Sequence, residues 1–330
     1  MTGVEVVGLG ALNIDHMYRV ERILDDGEAV VVGESKLCPG GSAANTVYGL
    51  AKLGVNTGFT GVVGDDAEGK ILLEGFQKVG VDIGQIRIKR GAKTGSVLCL
   101  SDRLGKRSLY VLPGANNLLT IDDLDLAYIN RARMLHVSSF AGDSQFKVLL
   151  GVMDGLDSSV KVSFTPGMLY AAKGLKSLIP ILDRTHILFI NLNEIRQLTG
   201  EDIIAGAETC LKQGCQVVVV TLGDGMELSL GGGTGYRTIT ASCYIRDAEN
   251  EYVVEPDSRG MATEVDTTGA GDAFATGFLY GLLNGKGLEE CGYLGDIVAR
   301  LSVTELGARQ GFPSHSELAQ RYQKLYSRRL

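Results

Sequence analysis

Asp266-Thr267-Thr268-Gly269-Ala270-Gly271-Asp272 runs without a break into Ala273-Phe274-Ala275-Thr276-Gly277-Phe278-Leu279. The first seven residues are small and turn-forming, and they end in a carboxylate. The next seven carry an apolar helical pattern. Gly269 and Gly271 admit backbone conformations closed to other residues and leave amide N–H groups uncovered at a helix start. Such a start carries unpaired donors and a partial positive charge, so it suits an anion. A carboxylate there makes sense if the amides of Gly269, Ala270 and Gly271 hold a transferring phosphoryl group while Asp272 draws the proton from an attacking hydroxyl. For an isolated G-x-G-D the blander reading, a turn with an Asp cap, is the better one.

The other stretches sit where a ligand-binding α/β protein needs them. Val4 to Leu9 reads as a buried strand opening a parallel sheet, and Asn13 and Asp15 follow at its C-terminal end, the edge where such sheets bind ligands. Pro39-Gly40-Gly41-Ser42 leads into a helix that ends at Gly54, with Ser42 as its expected N-cap. Gly40 and Gly41 permit close approach of backbone to a ligand, and Asn45 sits in the first turn. Residues 17–20 and 29–32 read as two strands around the polar turn Asp25-Asp26-Gly27. Thr94 to Leu100 and Ser108 to Leu112 read as a second hairpin with a charged turn. Asp65 and Asp66 read as turn or capping residues. From about Thr120 onward strands and helices alternate, which implies a parallel sheet with helices on both faces. His136 and His186 lie beside apolar runs with no ligand-spaced partner and read as core or edge residues.

Asn191-x-x-Glu194 places both side chains on one turn, and on pattern alone it is a capping box. Thr221-Leu222-Gly223-Asp224-Gly225 ends a strand in a turn. A P-loop, GxxxxGK[ST], is absent.

Taken together these strings resemble the PfkB (ribokinase-like) family of carbohydrate and nucleoside kinases, in the expected order over nearly the whole chain. The 266–272 string resembles its C-terminal signature and Gly40-Gly41-x-x-x-Asn45 its N-terminal one. Pro113-Gly114-Ala115-Asn116 resembles the G-A-N after its lid strands. Ser302 to Ala308 with Gln310-Gly311-Phe312-Pro313 resembles its closing V-T-x-x-G-A…P segment. The resemblance implies a single ribokinase-like domain over residues 1–330, a Rossmann-type doubly wound parallel sheet, and a small β-sheet lid from about residues 13–38 and 92–113. A lid fits the chemistry, because water in the site would compete as phosphoryl acceptor.

The resemblance also implies roles. Asp272 is the expected base. Asn13, Asp15, Gly40, Gly41 and Asn45 are expected to hold acceptor hydroxyls. Asn191, Glu194, Thr221, Gly223 and Gly225 are expected around ATP, with Glu194 ordering Mg2+ through water. The 221–225 string is one residue shorter than the family's T-L-G-x-x-G. Asp266 is the position carried over for a monovalent cation such as K+. Two departures bear on the acceptor. Ribose-specific members carry a Glu where this chain reads Ser138-Ser139-Phe140-Ala141-Gly142-Asp143, which counts against ribose. Ser42 stands where members acting on phosphosugars place a basic residue. The expected acceptor is a hydroxymethyl group on a small sugar, polyol or nucleoside. The rivals are a nucleoside kinase proper and a non-catalytic sensor, the latter disfavoured by an intact 269–272 loop. A dinucleotide-binding oxidoreductase would want G-x-G-x-x-G, and Gly8-Leu9-Gly10-Ala11-Leu12-Asn13 lacks the third glycine.

Composition agrees. The 330 residues are 45% hydrophobic with 45 glycines, enough for a large core with many tight turns. A net charge of −7, 6% aromatics and no Trp leave no footprint for nucleic acid or an anionic membrane surface. The six cysteines are scattered without C-x-x-C spacing, as expected of free thiols in the cytoplasm. Exposed lid strands make a homodimer through the lid the expected partner arrangement.

Overall fold

The computed structural model describes residues 3–102, 107–232, 235–256, 264–328 and 330. Thirteen strands are present among them: β1 (Val6–Leu9), β2 (Asn13–Arg19), β3 (Glu34–Gly40), β4 (Thr57–Gly64), β5 (Asp82–Lys89), β6 (Gly95–Ser101), β7 (Arg107–Leu112), β8 (Met134–Ser138), β9 (Lys161–Thr165), β10 (Thr185–Asn191), β11 (Val217–Gly232), β12 (Gly235–Asp247) and β13 (Glu251–Val254). Nine form one sheet in the order β13-β12-β11-β10-β9-β8-β1-β4-β5. From β5 to β11 every neighbouring pair is parallel; β12 and β13 close one edge antiparallel. β1, β4 and β8 are buried throughout, as expected of strands covered on both faces. The chain is an α/β fold with a large mostly parallel sheet and a smaller separate one.

The smaller sheet runs β3-β2-β6-β7. Its first hairpin corrects the sequence expectation. Residues 17–19 do lie in a paired strand, as the end of β2, but residues 29–32 do not; β2 begins at Asn13, directly after β1, and β3 ends at Gly40, directly before a helix. The valine run at 30–32 looked like a strand, yet it has no partner there, and Val31 is 87% exposed. What decides the register is the pairing of Asn13 with Gly40 and of Asp15 with Cys38. The second hairpin stands close to its expected bounds, with the turn residues 103–106 outside the described residues.

Two helices flank the cleft between the sheets. Ser42–Lys52 follows β3, and Ala270–Leu283 buries every residue from Ala273 to Gly281. Asp66 caps the helix Ala67–Lys78 by accepting from the Gly69 N–H, and Asp65 accepts from the Gly91 N–H. His136 is fully buried with Nδ1 2.9 Å from Ser163 Oγ, and burial pushes its imidazole down to about 3. His186 lies at 2.6 Å from Gln216 Oε1. All six cysteines are free and buried. Among the described residues no helix is long and apolar enough to cross a membrane.

Candidate active site

Gly269 has φ +78° and is the N-cap of the helix Ala270–Leu283. A side chain there would be strained, and its Cβ would lie 2.6 Å from Ala308 Cβ. The turn therefore presents the first amides of the helix to the cleft. The Ala270 N–H donates to the Thr267 carbonyl at 3.2 Å, so this amide already has a turn bond. Asp266 anchors the loop. Its Oδ1 accepts from the Thr268 N–H (3.0 Å) and hydroxyl (2.7 Å), and its Oδ2 accepts from the Gly307 N–H (2.9 Å). Asp266 thereby ties the loop to Gly307 of the closing segment.

Asp272 is half-buried in the first turn of that helix. The Ser42 hydroxyl donates to its Oδ1 at 2.7 Å, and Asn45 Nδ2 donates to its Oδ2 at 2.8 Å. Its backbone carbonyl accepts from the hydroxyls of Thr276 (2.9 Å) and Thr46 (3.3 Å). Here the expectation for Ser42 fails. The N-cap of its helix is Gly41 at φ +94°, with no side-chain cap bond. Ser42 is thus the first helical residue rather than the cap, and its hydroxyl is left to donate to the Asp272 carboxylate. Burial pushes the Asp272 carboxyl up to about 6, against the bonds from Ser42 and Asn45 and the nearby Arg309 cation, which lower it.

Asn13 and Asp15, two apart on β2, lie on one face of the smaller sheet and are 7% exposed each. Asn13 Oδ1 accepts from Asn116 Nδ2 at 2.9 Å, and Asn116 also exchanges two bonds with the Leu12 backbone. Asp15 packs against Gly40 so closely that a Cβ at 40 would overlap its carboxylate. Burial pushes Asp15 up to about 7; Arg309 opposes this, while Asp272 and Asp266 add to it. Asn13, Asp15, Gly40, Gly41, Asn45 and Asp272 thus come together around one end of the cleft.

Next to the Asp272 loop lies a cavity of about 320 Å³ whose lining includes Thr221, Gly223, Ser242, Thr267, Ala270 and Gly271. Much of its wall is apolar, from Phe274, Ile297, Leu301 and Val303, with the Asp296–Arg300 ion pair (2.7 Å) at its side. Gly225 is not part of this lining; it turns at φ +117° against Thr240 and Pro256. Asn191 and Glu194 form the capping box: the Glu194 N–H donates to Asn191 Oδ1 (2.9 Å) and the Asn191 N–H to Glu194 Oε2 (3.1 Å). Burial raises the Glu194 carboxyl, and Asp272 is near enough to add to the rise.

Two residues were missed by sequence reasoning. Asn116 lies inside the quoted Pro113–Asn116 string but carried no expected contact. Arg309 lies between the two halves of the quoted closing segment. Its Nε donates to Asn45 Oδ1 (2.8 Å) and its Nη2 to the Gly40 carbonyl (2.9 Å). Its guanidinium stands over Tyr48 (5.3 Å) and Phe76 (5.1 Å), and its Nη1 is buried without a hydrogen-bond partner among the described residues. Burial lowers it to about 10. An arginine after Gly-Ala is no signal of itself; only the fold brings it to Asn45.

A carboxylate held by Ser42 and Asn45 in the first turn of a glycine-led helix agrees with a phosphotransferase acting on an alcohol group, the class to which the comparisons assign the chain. The chain belongs to the pfkB family carbohydrate kinases, whose family model matches residues 4–315. A relative from Archaeoglobus fulgidus described as an uncharacterized sugar kinase is 37% identical, covering 80% of this chain and 98% of its own. The crystal structure of ribokinase from Thermotoga maritima aligns with a TM-score of 0.79 at 26% identity over 97% of this chain and 99% of its own. Ribokinase of Arabidopsis thaliana, solved with ribose and ATP, aligns with a TM-score of 0.78 at 26% identity over 97% of this chain and 98% of its own.

Proposed function

We propose that this kinase transfers the γ-phosphoryl group of ATP to a hydroxymethyl group on a small sugar, polyol or nucleoside. One observation carries this reading: Asp272 is held by Ser42 and Asn45, from the helix behind the double glycine, at the start of the helix that opens with Gly269. Its carboxylate thereby faces the end of the cleft where Asn13, Asp15 and Gly40 gather. The acceptor hydroxyl lies against Asp272, which takes its proton as the oxygen attacks. The amides at the start of the helix, Gly271 foremost, stabilise charge on the migrating group. Asn13 and Asp15 fix the remaining hydroxyls, and the lid keeps out water.

The cavity lined by Thr221, Gly223 and Gly271 takes the nucleotide. Among the described residues no cluster of three or more His, Cys, Asp or Glu stands ready for a metal. Glu194, buried and close enough to feel Asp272, is an isolated oxygen donor. That set fits a magnesium ion held mainly by water and phosphate, with Glu194 acting through water. Bound there, Mg2+ would neutralise phosphate charge. Asp266 would neighbour a monovalent cation such as K+. The whole chain acts as one kinase domain with its lid. Leu109, Tyr110, Val111 and Leu112 are exposed on the lid's edge strand β7, and this supports pairing with a second copy, which light scattering would detect as a dimer mass.

A coupled nucleotide assay over ribose, fructose, inositol, adenosine and cytidine tests the function. Turnover with one sugar or polyol and little with the others is expected. Turnover confined to adenosine or cytidine would make this a nucleoside kinase proper. Nucleotide binding with no turnover on any acceptor in a wider panel would favour a sensor.

A further inference from the structure

We infer that Arg309 is a positioning residue: with Gly307 and Ala308 it clasps the double-glycine turn to the 266–272 loop and fixes the orientation of the Asn45 amide that holds Asp272. This rests on the kinase reading above. Three consecutive residues touch three parts of the site. The Gly307 N–H donates to Asp266 Oδ2, Ala308 packs where a Cβ on Gly269 would stand, and Arg309 bonds both Asn45 and Gly40.

The geometry of Asn45 explains why this matters. An amide side chain offers one acceptor and two donors, and its oxygen and nitrogen exchange places on a half turn. Asp272 Oδ2 needs the nitrogen, since a carboxylate facing an amide oxygen would repel it. Arg309 Nε–H holds the Asn45 oxygen on the opposite side, so only one orientation satisfies both neighbours. Arg309 Nη2 meanwhile pins the carbonyl of Gly40, the residue packed against Asp15. One guanidinium therefore sets the base and the acceptor-side turn together.

A cation this deeply buried is expensive to keep. Arg309 is 4% exposed, stands over the rings of Tyr48 and Phe76, and leaves Nη1 without a hydrogen-bond partner among the described residues. A neutral apolar residue would fill the space more easily if packing were its only task. The groups that face Asp272 electrostatically are Arg309 from the closing loop, Asp15 from β2 and Glu194 from the capping box, with Asp266 acting on Asp15. Arg309 is the cation in that set, and it favours the ionised carboxylates.

Three variants test the inference: R309M, R309Q and R309K. The first readout needs no turnover: carboxyl-carbon NMR of Asp272 against pH. R309M and R309Q are expected to raise its titration by about one unit, the scale of losing one nearby opposite charge. R309K is expected to leave it close to the parent. In the second readout R309M lowers kcat by about tenfold while the nucleotide KM stays within about twofold. R309K, which keeps the charge but lacks the planar fork, is expected to recover part of that loss. An unmoved Asp272 titration in R309M and R309Q would overturn the inference. So would variants that lose thermal stability but keep the parent kcat. If the parent protein phosphorylated no acceptor while the titration moved as expected, the function would fail and the placement of Arg309 would stand.

Discussion

On one side of Asp272, side chains far apart in the chain hold one another: Asn116 grips Asn13 and Leu12, Arg309 grips Asn45 and Gly40, and Ser42 and Asn45 grip the carboxylate. On the other side lies a cavity with a largely apolar wall, lined also by the turn at Gly223 and by Ala270 and Gly271 at the helix start. Under the proposed function the contrast follows from what each side would bind. A small acceptor must be placed to within a fraction of an ångström of the base, and interlocked hydrogen bonds give that rigidity. A nucleotide brings a large flat base and its own charge, so an apolar slot and a few amides suffice. Disturbing the first side should therefore damage chemistry and acceptor use. Disturbing the second should weaken nucleotide affinity.

The largest effect is expected at the base. Asp272→Asn keeps the shape, folds, and binds nucleotide in calorimetry, but loses about 10²–10⁴-fold in kcat. Near-parent turnover would remove the base assignment. Next comes Gly40→Ala, whose methyl would collide with the Asp15 carboxylate. Overpacking of this kind costs about 1–3 kcal/mol, visible in chemical denaturation, and the acceptor KM should rise with the nucleotide KM unchanged. The two glycines of the anion loop then separate conformation from contact. Gly269→Ala places a methyl at φ +78° against Ala308 and should cost about 1–2 kcal/mol of stability. Gly271→Ala meets nothing within 4 Å, so its melting temperature should match the parent and only nucleotide affinity should fall. Equal destabilisation by both would show that the loop's geometry is misassigned.

Much of this was legible in the residues themselves. The 266–272 string, the double glycine and the βα alternation are local patterns, and local patterns survive in sequence. Asn13 and Asp15 were legible as lying just past the end of β1, where the smaller sheet begins with β2. What was lost depends on tertiary contacts. Ser42 is a good cap residue by type, yet a carboxylate 230 positions away draws its hydroxyl. Arg309 meets Asn45 across 264 positions and repeats no pattern. Residues 29–32 have strand composition, but no neighbouring strand receives them. Gly225 belongs to a string read for nucleotide contact, but the irregular pairing of β11 with β12 between Thr221 and Met226 turns it away from the cavity.

The central claim is that a desolvated carboxylate in this cleft takes the acceptor's proton, and the pH dependence of kcat/KM for the acceptor tests it most directly. Burial raises Asp272 to about 6 and Asp15 to about 7, and a base works only when ionised. The rate should therefore climb from about pH 5, pass through the interval set by those two groups, and level off by about pH 8. A profile flat across that whole span, with chemistry shown to limit the rate, would contradict the account.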